Sequence, residues 1–145
     1  MTLDKEKIRQ KLHFMRVKLR ELKRFQDMEI DEFKADVINE DAALRMLQVS
    51  IEAMLDICAH IASREGWGVP KTYADLISTA ARQELIPHGM EDTYKKMVAF
   101  RNRIVHLYDD VNTEEILNII NEHLDDFTPF ISSVVERFLK EKNES

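Results

Sequence analysis

The chain has 145 residues and a formal net charge of −6, and it is 44% hydrophobic and 33% charged. It contains only 3 Gly and 3 Pro, too few for the many sharp connections of an all-β or α/β fold. The composition therefore predicts an all-α protein, with residues 1–145 forming one domain around a single core. The polar tail at 140–145 is expected to fray.

The cysteine content and the N-terminus bear on the expected compartment. The single cysteine, Cys58, cannot form an internal disulfide, so an oxidising environment would add nothing to stability. Residues 1–10 are charged and lack the apolar stretch of a signal peptide. No uninterrupted apolar run approaches the roughly 18 residues of a membrane span. We therefore expect a cytoplasmic protein without a membrane partner.

The first predicted helix runs from about Leu3 to Phe25, because apolar residues recur there at spacings of three and four. Residues 1–24 hold nine Lys and Arg against three acids, so this basic helix carries +6 and the rest of the chain −12. Local charge decides where a phosphate can dock, although a solvated helix face is the simpler explanation. The predicted buried stripe comprises Ile8, Leu12, Met15, Leu19 and Leu22.

The middle of the chain predicts three further helical segments. A short one lies near Phe33–Ile38, and a long helix follows from about Asp41 to Arg64. Thr72 with Asp75 is a capping-box pattern that opens a third helix, which ends at about Gln83. The residues predicted on the buried side of the long helix are Leu44, Leu47, Ile51, Met54, Leu55, Cys58 and Ile61.

Two more helices follow, which gives a predicted bundle of about five helices besides the short segment near Phe33–Ile38. The last one starts near Thr113, where Asn112 and Glu115 form a second capping pattern. Pro129 falls inside the apolar periodicity of this helix, so we expect a kink near Asp125. The helix before it carries the apolar residues Met97, Val98, Ile104 and Val105.

Residues 99–108 concentrate polar groups among apolar ones. On an ideal helix Asn102 and His106, four apart, share a face, and Arg101 and Tyr108, seven apart, share a neighbouring one. His106 and Tyr108 would point nearly opposite ways. The set therefore converges only if the helix end unwinds or a second protomer supplies the missing half. Two-fold symmetry would achieve the latter, so the spacing favours a homodimer.

An arginine, a histidine and a polar amide are suited to cleaving RNA without a metal ion. Imidazole titrates near neutrality and can serve as acid or base, and guanidinium holds phosphate oxygens with paired donors. Asn102 lies one turn from His106 and is suited to orient its ring. On spacing alone, however, Arg101 and His106 are more often ordinary polar residues at a helix end.

The motif in its context resembles the signature of the HEPN superfamily, an Arg followed by a polar residue and a His after a gap of four to six. Here this is Arg101-Asn102-x-x-x-His106, and the continuation to Tyr108 is similar to the Arg-x4-His-x-Tyr pattern of the HepT branch. The turn at 65–73 and the helix at 116–130 also resemble that branch. The resemblance covers nearly the whole chain beyond about residue 35.

This resemblance implies a helical bundle that dimerises, so that two motifs face one cleft. It implies a metal-independent endoribonuclease with catalytic residues Arg101, Asn102 and His106, acting commonly on tRNA and leaving 2′,3′-cyclic phosphate ends. The resemblance further implies that the chain is the toxin of a toxin–antitoxin pair. The antitoxin of such pairs is a minimal nucleotidyltransferase (MNT), which transfers AMP from ATP to the motif tyrosine, here Tyr108. The added phosphate would place negative charge beside Arg101. The chain itself is expected to need no cofactor, since ATP serves only the antitoxin.

Several polar residues outside the motif are also candidates for a role in the site. Glu52, Asp56 and His60 recur every four residues, as metal ligands do in helix bundles, but no second set accompanies them, so no metal site is predicted. We expect a polar stripe lining the motif cleft instead, with Asp56 as the candidate partner of Arg101 or His106. Arg103, two residues from Arg101, is expected to point away from it, toward RNA or solvent.

Two other functions remain open from the sequence. One is a non-catalytic HEPN subunit that binds a nucleotide or a partner within a nucleotidyltransferase complex, which agrees better with the net acidity. The other is a plain helical dimerisation domain. This function is less favoured, because burying the polar motif for packing alone would cost free energy. Purified chain that binds the transferase or ATP and leaves RNA intact would identify the first.

Overall fold

The structure is a computed structural model that describes residues 2–106 and 111–140. The described residues form helices joined by turns and loops, and no strand occurs among them. The predicted all-α fold is therefore confirmed, with more helices than the five or so expected. The α-helices are α1 (Lys5–Leu22), α2 (Ile30–Lys34), α3 (Val37–Glu65), α4 (Tyr73–Arg82), α5 (Glu91–His106), α6 (Thr113–Glu122) and α7 (Thr128–Val134).

Helix α1 lies along α3, and this pair forms one side of the core. The side chain of Asp4 caps α1 by accepting a hydrogen bond from the backbone N–H of Lys7 at 3.0 Å. The helix ends in a short 3-10 turn at Lys23–Phe25. The five residues of the predicted apolar stripe are all buried, which confirms the periodicity on which this helix was predicted.

Helix α3 begins four residues earlier than the sequence predicts. Asp36 is the cause, since its side chain accepts a hydrogen bond from the backbone N–H of Ile38 at 3.0 Å and so caps the helix. The short segment predicted at Phe33–Ile38 is therefore wrong, because it divides between α2 and the first turn of α3. At its other end α3 stops at Gly66, whose φ of +71° is a left-handed conformation that glycine adopts without strain.

The centre of α3 is the middle of the hydrophobic core. Ile51, Met54 and Ile61 are buried as predicted, whereas Leu44 is only partly buried. Cys58 is fully buried, and this burial raises the pKa of its thiol to about 12. The thiol is therefore protonated at neutral pH and unsuited to act as a nucleophile.

The predicted kink in the last helix is a complete break at the predicted place. Helix α6 ends at Glu122, a 3-10 turn covers Leu124–Phe127, and α7 then starts with Pro129 in its first turn. A proline is tolerated there because the first turn of a helix has no internal acceptors for its N–H groups. The break is held by Tyr94 of α5, whose buried hydroxyl donates to the carbonyl of Asp126 (2.8 Å) and accepts from the N–H of Phe130 (3.0 Å).

Tyr108, the residue predicted to be modified, lies outside the described residues, as do residues 141–145 of the tail that is expected to fray. Both capping patterns that the sequence predicts are present. Thr72 accepts from the N–H of Asp75 at 3.0 Å, and Asn112 accepts from the N–H of Glu115 at 2.8 Å. Along the described residues, no helix combines the length and the apolarity that crossing a membrane requires.

Candidate active site

The polar motif lies in the last two turns of α5. One face of this helix is buried in the core through Tyr94, Val98, Phe100 and Ile104. The residues between these positions are left at the surface: Arg101, Asn102 and Arg103 are half-buried, and His106 is exposed at the helix end. Val105, which the sequence places among the apolar positions, is 41% exposed.

The guanidinium of Arg101 is held by a carboxylate of α3. Its Nε donates a hydrogen bond to Glu52 Oε2 at 2.9 Å, and its Nη2 lies 2.9 Å from the same oxygen. Both side chains are largely shielded, with 17% of Arg101 and 29% of Glu52 exposed. Glu52 Oε2 also accepts from Gln48 Nε2 at 3.1 Å, one turn earlier on α3. The carboxylate is therefore itself held in place.

The carboxylate that pairs with Arg101 is one helical turn from the one that we predicted. Asp56 binds Nζ of Lys11 on α1 at 3.1 Å, so its predicted pairing with Arg101 is wrong. Positions 52 and 56 share a face of α3, and the sequence does not say where along that face α5 approaches. The polar stripe was visible in the sequence, but the selection of Glu52 within it depends on helix packing.

Tyr73 contacts Arg101 from a third helix, α4. The Cζ atom of Arg101 lies 5.3 Å from the centroid of the Tyr73 ring, within the range of a cation–π contact. Tyr73 is the first residue of α4, and the capping residue Thr72 fixes the start of that helix. The sequence gives no signal for this contact, because Tyr73 carries no motif of its own.

The other two motif residues lie differently with respect to Arg101. Asn102 Oδ1 accepts a hydrogen bond from Arg101 Nη1 at 3.1 Å, so the described contact of Asn102 is with Arg101 rather than the predicted one with His106. His106 follows Arg101 by five residues, which on an ideal helix separates them by about 140° around the axis and about 7.5 Å along it. On this helix the guanidinium and the imidazole are therefore expected to diverge.

Arg103 faces α6, away from Arg101. Its Nη1 and Nη2 donate to the two carboxylate oxygens of Glu115 at 2.6 and 2.9 Å, a paired contact that ties α5 to α6. We expected Arg103 to point away from Arg101, and it does, but it binds Glu115 rather than lying open to RNA or solvent. Arg103 therefore joins two helices next to the motif.

The three residues with metal-ligand spacing on α3 have separate partners. Glu52 binds Arg101, Asp56 binds Lys11, and His60 Nε2 accepts from the backbone N–H of Asp4 at 3.1 Å. Burial first, and then the nearby charges of Arg64 and Lys7, hold the pKa of His60 below its usual value. Within residues 2–106 and 111–140, no group of three or more His, Cys, Asp or Glu side chains is placed to bind a metal ion.

Comparisons with known proteins point to one family. Residues 15–134 match the family model described as Ribonuclease HepT-like. The chain is 34% identical over 115 residues to an mRNA nuclease HepT of Shewanella oneidensis, a match that covers 78% of this chain and 86% of that protein. It is 22% identical over 113 residues to a tRNA nuclease HepT of Aphanizomenon flos-aquae, with 78% and 77% covered. A solved structure of the tri-AMPylated Shewanella oneidensis HEPN toxin in complex with MNT antitoxin is similar with a TM-score of 0.82, at 28% identity over 90% of this chain and 98% of that chain.

Proposed function

Because the chain belongs to the HepT-like ribonuclease family, we propose that it is the RNA-cleaving toxin of a toxin–antitoxin pair. The observation that carries this proposal is the arrangement of Arg101. Its guanidinium is held by a carboxylate, an amide and an aromatic ring from three helices, while His106 is exposed at the end of the same helix. An arginine fixed in this way is suited to bind a phosphate.

Arg101 has donors to spare for a phosphate. A guanidinium carries five N–H groups, and the described contacts use one on Nε, the side of Nη2 that faces Glu52, and one on Nη1. The remaining protons of Nη1 and Nη2 would bind the phosphate oxygens and stabilise the charge that develops on the phosphorane. His106 would transfer the proton of the 2′-hydroxyl or of the leaving 5′-oxygen, and Asn102 would orient Arg101.

The site would be completed by a second protomer. Arg101 and His106 diverge along one helix, and a two-fold axis near the end of α5 would bring each arginine opposite the histidine of the partner subunit. Val105, an exposed apolar residue beside His106, is suited to lie in such an interface. Neither proton transfer nor phosphate binding in this scheme requires a metal ion, and the expected product ends are 2′,3′-cyclic phosphates.

The proposed substrate is RNA, and the names of the two relatives differ in the class of RNA that they give. The relative that is 34% identical is named for mRNA and the relative that is 22% identical for tRNA. We expected tRNA from the resemblance alone, so both classes belong in the test. Cleavage of one class at lower enzyme concentration would decide between them.

Regulation is proposed to act through Tyr108. An MNT antitoxin would transfer AMP from ATP to its hydroxyl, as the AMPylated solved relative suggests. The new phosphodiester would compete with RNA for Arg101 because both are anions seeking the same donors. Incubation with antitoxin and ATP should raise the mass of the chain by whole adenylyl groups. Tyr108→Phe should abolish the increase, and the control Tyr73→Phe should retain it.

The proposed activity is tested by incubating purified chain with an mRNA and with tRNA in EDTA. Wild-type protein and His88→Ala, which removes an exposed histidine just before the opposite end of α5, should both release fragments with 2′,3′-cyclic phosphate ends. At the doses at which the wild type cleaves, His106→Ala and Arg101→Ala should release none, and any residual cleavage should appear only at much higher doses. Equal cleavage by all four proteins would show that another residue, or a contaminant, is responsible.

The non-catalytic alternative makes the opposite prediction in the same assay. A binding subunit would leave both RNA classes intact at every dose and yet bind the transferase or ATP. Mass spectrometry of the same sample must show Tyr108 without AMP, because a modified toxin would also be inactive. Unmodified, inactive wild-type protein would overturn the ribonuclease proposal.

A further inference from the structure

The carboxylate of Glu52 binds one particular edge of the Arg101 guanidinium, whereas a chance surface ion pair has no fixed orientation. Glu52 Oε2 faces the edge of the guanidinium formed by Nε and Nη2, with both nitrogens at 2.9 Å. Nε is the nitrogen attached to the side-chain stem, so binding at this edge fixes the rotation of the whole guanidinium plane. The pair joins α3 to α5 across 49 residues of sequence.

Glu52 lies on a stretch of α3 that packs in the core. Its neighbours on α3, Ile51 and Ala53, are buried in the core. Gln48, one turn earlier, donates to the same Oε2 atom at 3.1 Å and limits its movement. A side chain that is held both by its helix and by a neighbour can hold another group to the precision that catalysis needs.

The remaining sides of the guanidinium are also defined. The Cζ atom of Arg101 lies over the Tyr73 ring, 5.3 Å from its centroid, and Asn102 accepts from Nη1 at 3.1 Å. Arg101 is therefore bounded by three side chains, while its contacts with the described residues leave protons on Nη1 and Nη2 for a ligand. A carboxylate that merely blocked the site would be expected to occupy those terminal protons instead of the Nε edge.

A carboxylate next to a phosphate-binding arginine has an electrostatic cost, because it repels the incoming phosphate. Its presence is understandable if the gain in orientation is larger than this repulsion. Holding a charged donor at the right position before the substrate arrives can be worth a large factor in rate. The sign of the effect of removing the carboxylate therefore distinguishes orientation from blockage.

From this geometry we propose that Glu52 is a positioning residue, which fixes the guanidinium of Arg101 for the transition state of RNA cleavage. The inference rests on the proposed ribonuclease activity. It assigns a role in the reaction to a residue on α3, outside the motif of α5. Glu52 acts through Arg101 and does not touch the substrate.

The test compares Glu52→Gln with Asp56→Asn. Both variants neutralise one carboxylate on the same face of α3, one turn apart, so they change the net charge equally and share any general effect on RNA affinity. Glu52→Gln should lower kcat by about tenfold to 100-fold with little change in KM, a range typical of a misplaced catalytic group. Asp56→Asn should cleave like the wild type. Both variants should remain folded, with only the small loss of stability expected when a partly exposed ion pair is weakened.

A second arm separates positioning from a structural role. Combining Glu52→Gln with Arg101→Ala should give the activity of Arg101→Ala alone, because Glu52 then has nothing left to position. Faster cleavage by Glu52→Gln would identify a blocking role and overturn the proposal. Unchanged cleavage, or losses that multiply in the double variant, would overturn it as well.

Wild-type protein that leaves RNA intact would refute the ribonuclease function. The hold of Glu52 on Arg101 can still be tested in that case. NMR of the Arg101 Nε–H group should then show slow exchange with water in the wild type and in Asp56→Asn, and fast exchange in Glu52→Gln. Slow exchange in all three proteins would show that Glu52 does not hold the guanidinium.

Discussion

At the N-terminal end of α5, the hydroxyl of Tyr94 is buried and uses both its donor and its acceptor on backbone groups of the α6–α7 connection. At the C-terminal end, Arg101 is also withdrawn from solvent, but its contacts with the described part of the chain leave donors unused. The same helix thus carries one polar side chain whose hydrogen bonds are complete and another whose hydrogen bonds are incomplete.

The difference separates structural from functional polarity. A buried polar group that has all its partners stabilises a particular packing, and removing it should cost stability without affecting chemistry. A group that is held firmly but keeps free donors is prepared for a ligand, and removing it should cost activity with little effect on folding. Substitution of Tyr94 should therefore lower stability and leave activity unchanged, whereas substitution of Arg101 should lower activity and leave stability nearly unchanged.

The largest expected effect is at the functional end. Arg101→Lys keeps the positive charge but loses the planar, paired donors, so kcat/KM for RNA should fall by about 100-fold, equivalent to about 2.7 kcal/mol of transition-state stabilisation. Urea unfolding should stay close to that of the wild type. A variant that cleaves normally, or one that unfolds much more easily, would break the comparison.

At the structural end, Tyr94→Phe should do the reverse. The variant leaves the carbonyl of Asp126 and the N–H of Phe130 without their partner, and this should lower the free energy of unfolding by about 1–3 kcal/mol. Cleavage per folded molecule should not change. The measurement is urea unfolding followed by circular dichroism, with activity assayed on the same samples. A loss of activity in fully folded Tyr94→Phe would contradict this assignment.

His60 extends the structural rule to a titratable group. Its pKa is lower when folded than its usual value of 6.5, chiefly through burial, and its Nε2 accepts from the N–H of Asp4 only when deprotonated. Between the folded pKa and 6.5 the unfolded chain binds more protons, so this stability is complete above 6.5 and is lost as the pH falls toward the folded value. Unfolding curves at pH 8 and pH 5.5 should show this loss in the wild type. His60→Gln should show a smaller one.

The smallest expected effect concerns the ion pair on the other side of the motif. Glu115→Gln weakens the paired contact with Arg103, which is partly exposed, so the free energy of unfolding should fall by less than about 1 kcal/mol. Cleavage should be close to that of the wild type, because Arg103 faces α6. A loss of activity as large as that of Arg101→Lys would move Arg103 into the site and sharpen the boundary between the two kinds of polarity.

Most of the fold could be predicted from local signals. The stripe from Ile8 to Leu22 is buried as its spacing requires, and Thr72 and Asn112 cap their helices as their neighbours suggest. The errors arose where a single side chain moved a boundary. Asp36 starts α3 four residues early, and Tyr94, far away in sequence, anchors the break between α6 and α7.

The site could be predicted only along α5. The spacing of Arg101 and His106 is a property of one helix and was visible in the sequence. Which carboxylate meets Arg101 depends on where α3 and α5 cross, and a displacement of one turn exchanges Asp56 for Glu52. The contact with Tyr73 depends in addition on the path of the loop before α4. These are tertiary relations, and the spacing of residues along one chain does not contain them.

The burial of Cys58 has a practical consequence. Its thiol is fully enclosed and its pKa of about 12 keeps it protonated, so a thiol reagent can react only after the core opens. Since this is the chain's one cysteine, the rate at which it is labelled reports how often the core opens, and no engineered probe is needed. A variant's resistance to unfolding can thus be compared by mass spectrometry in dilute, native buffer.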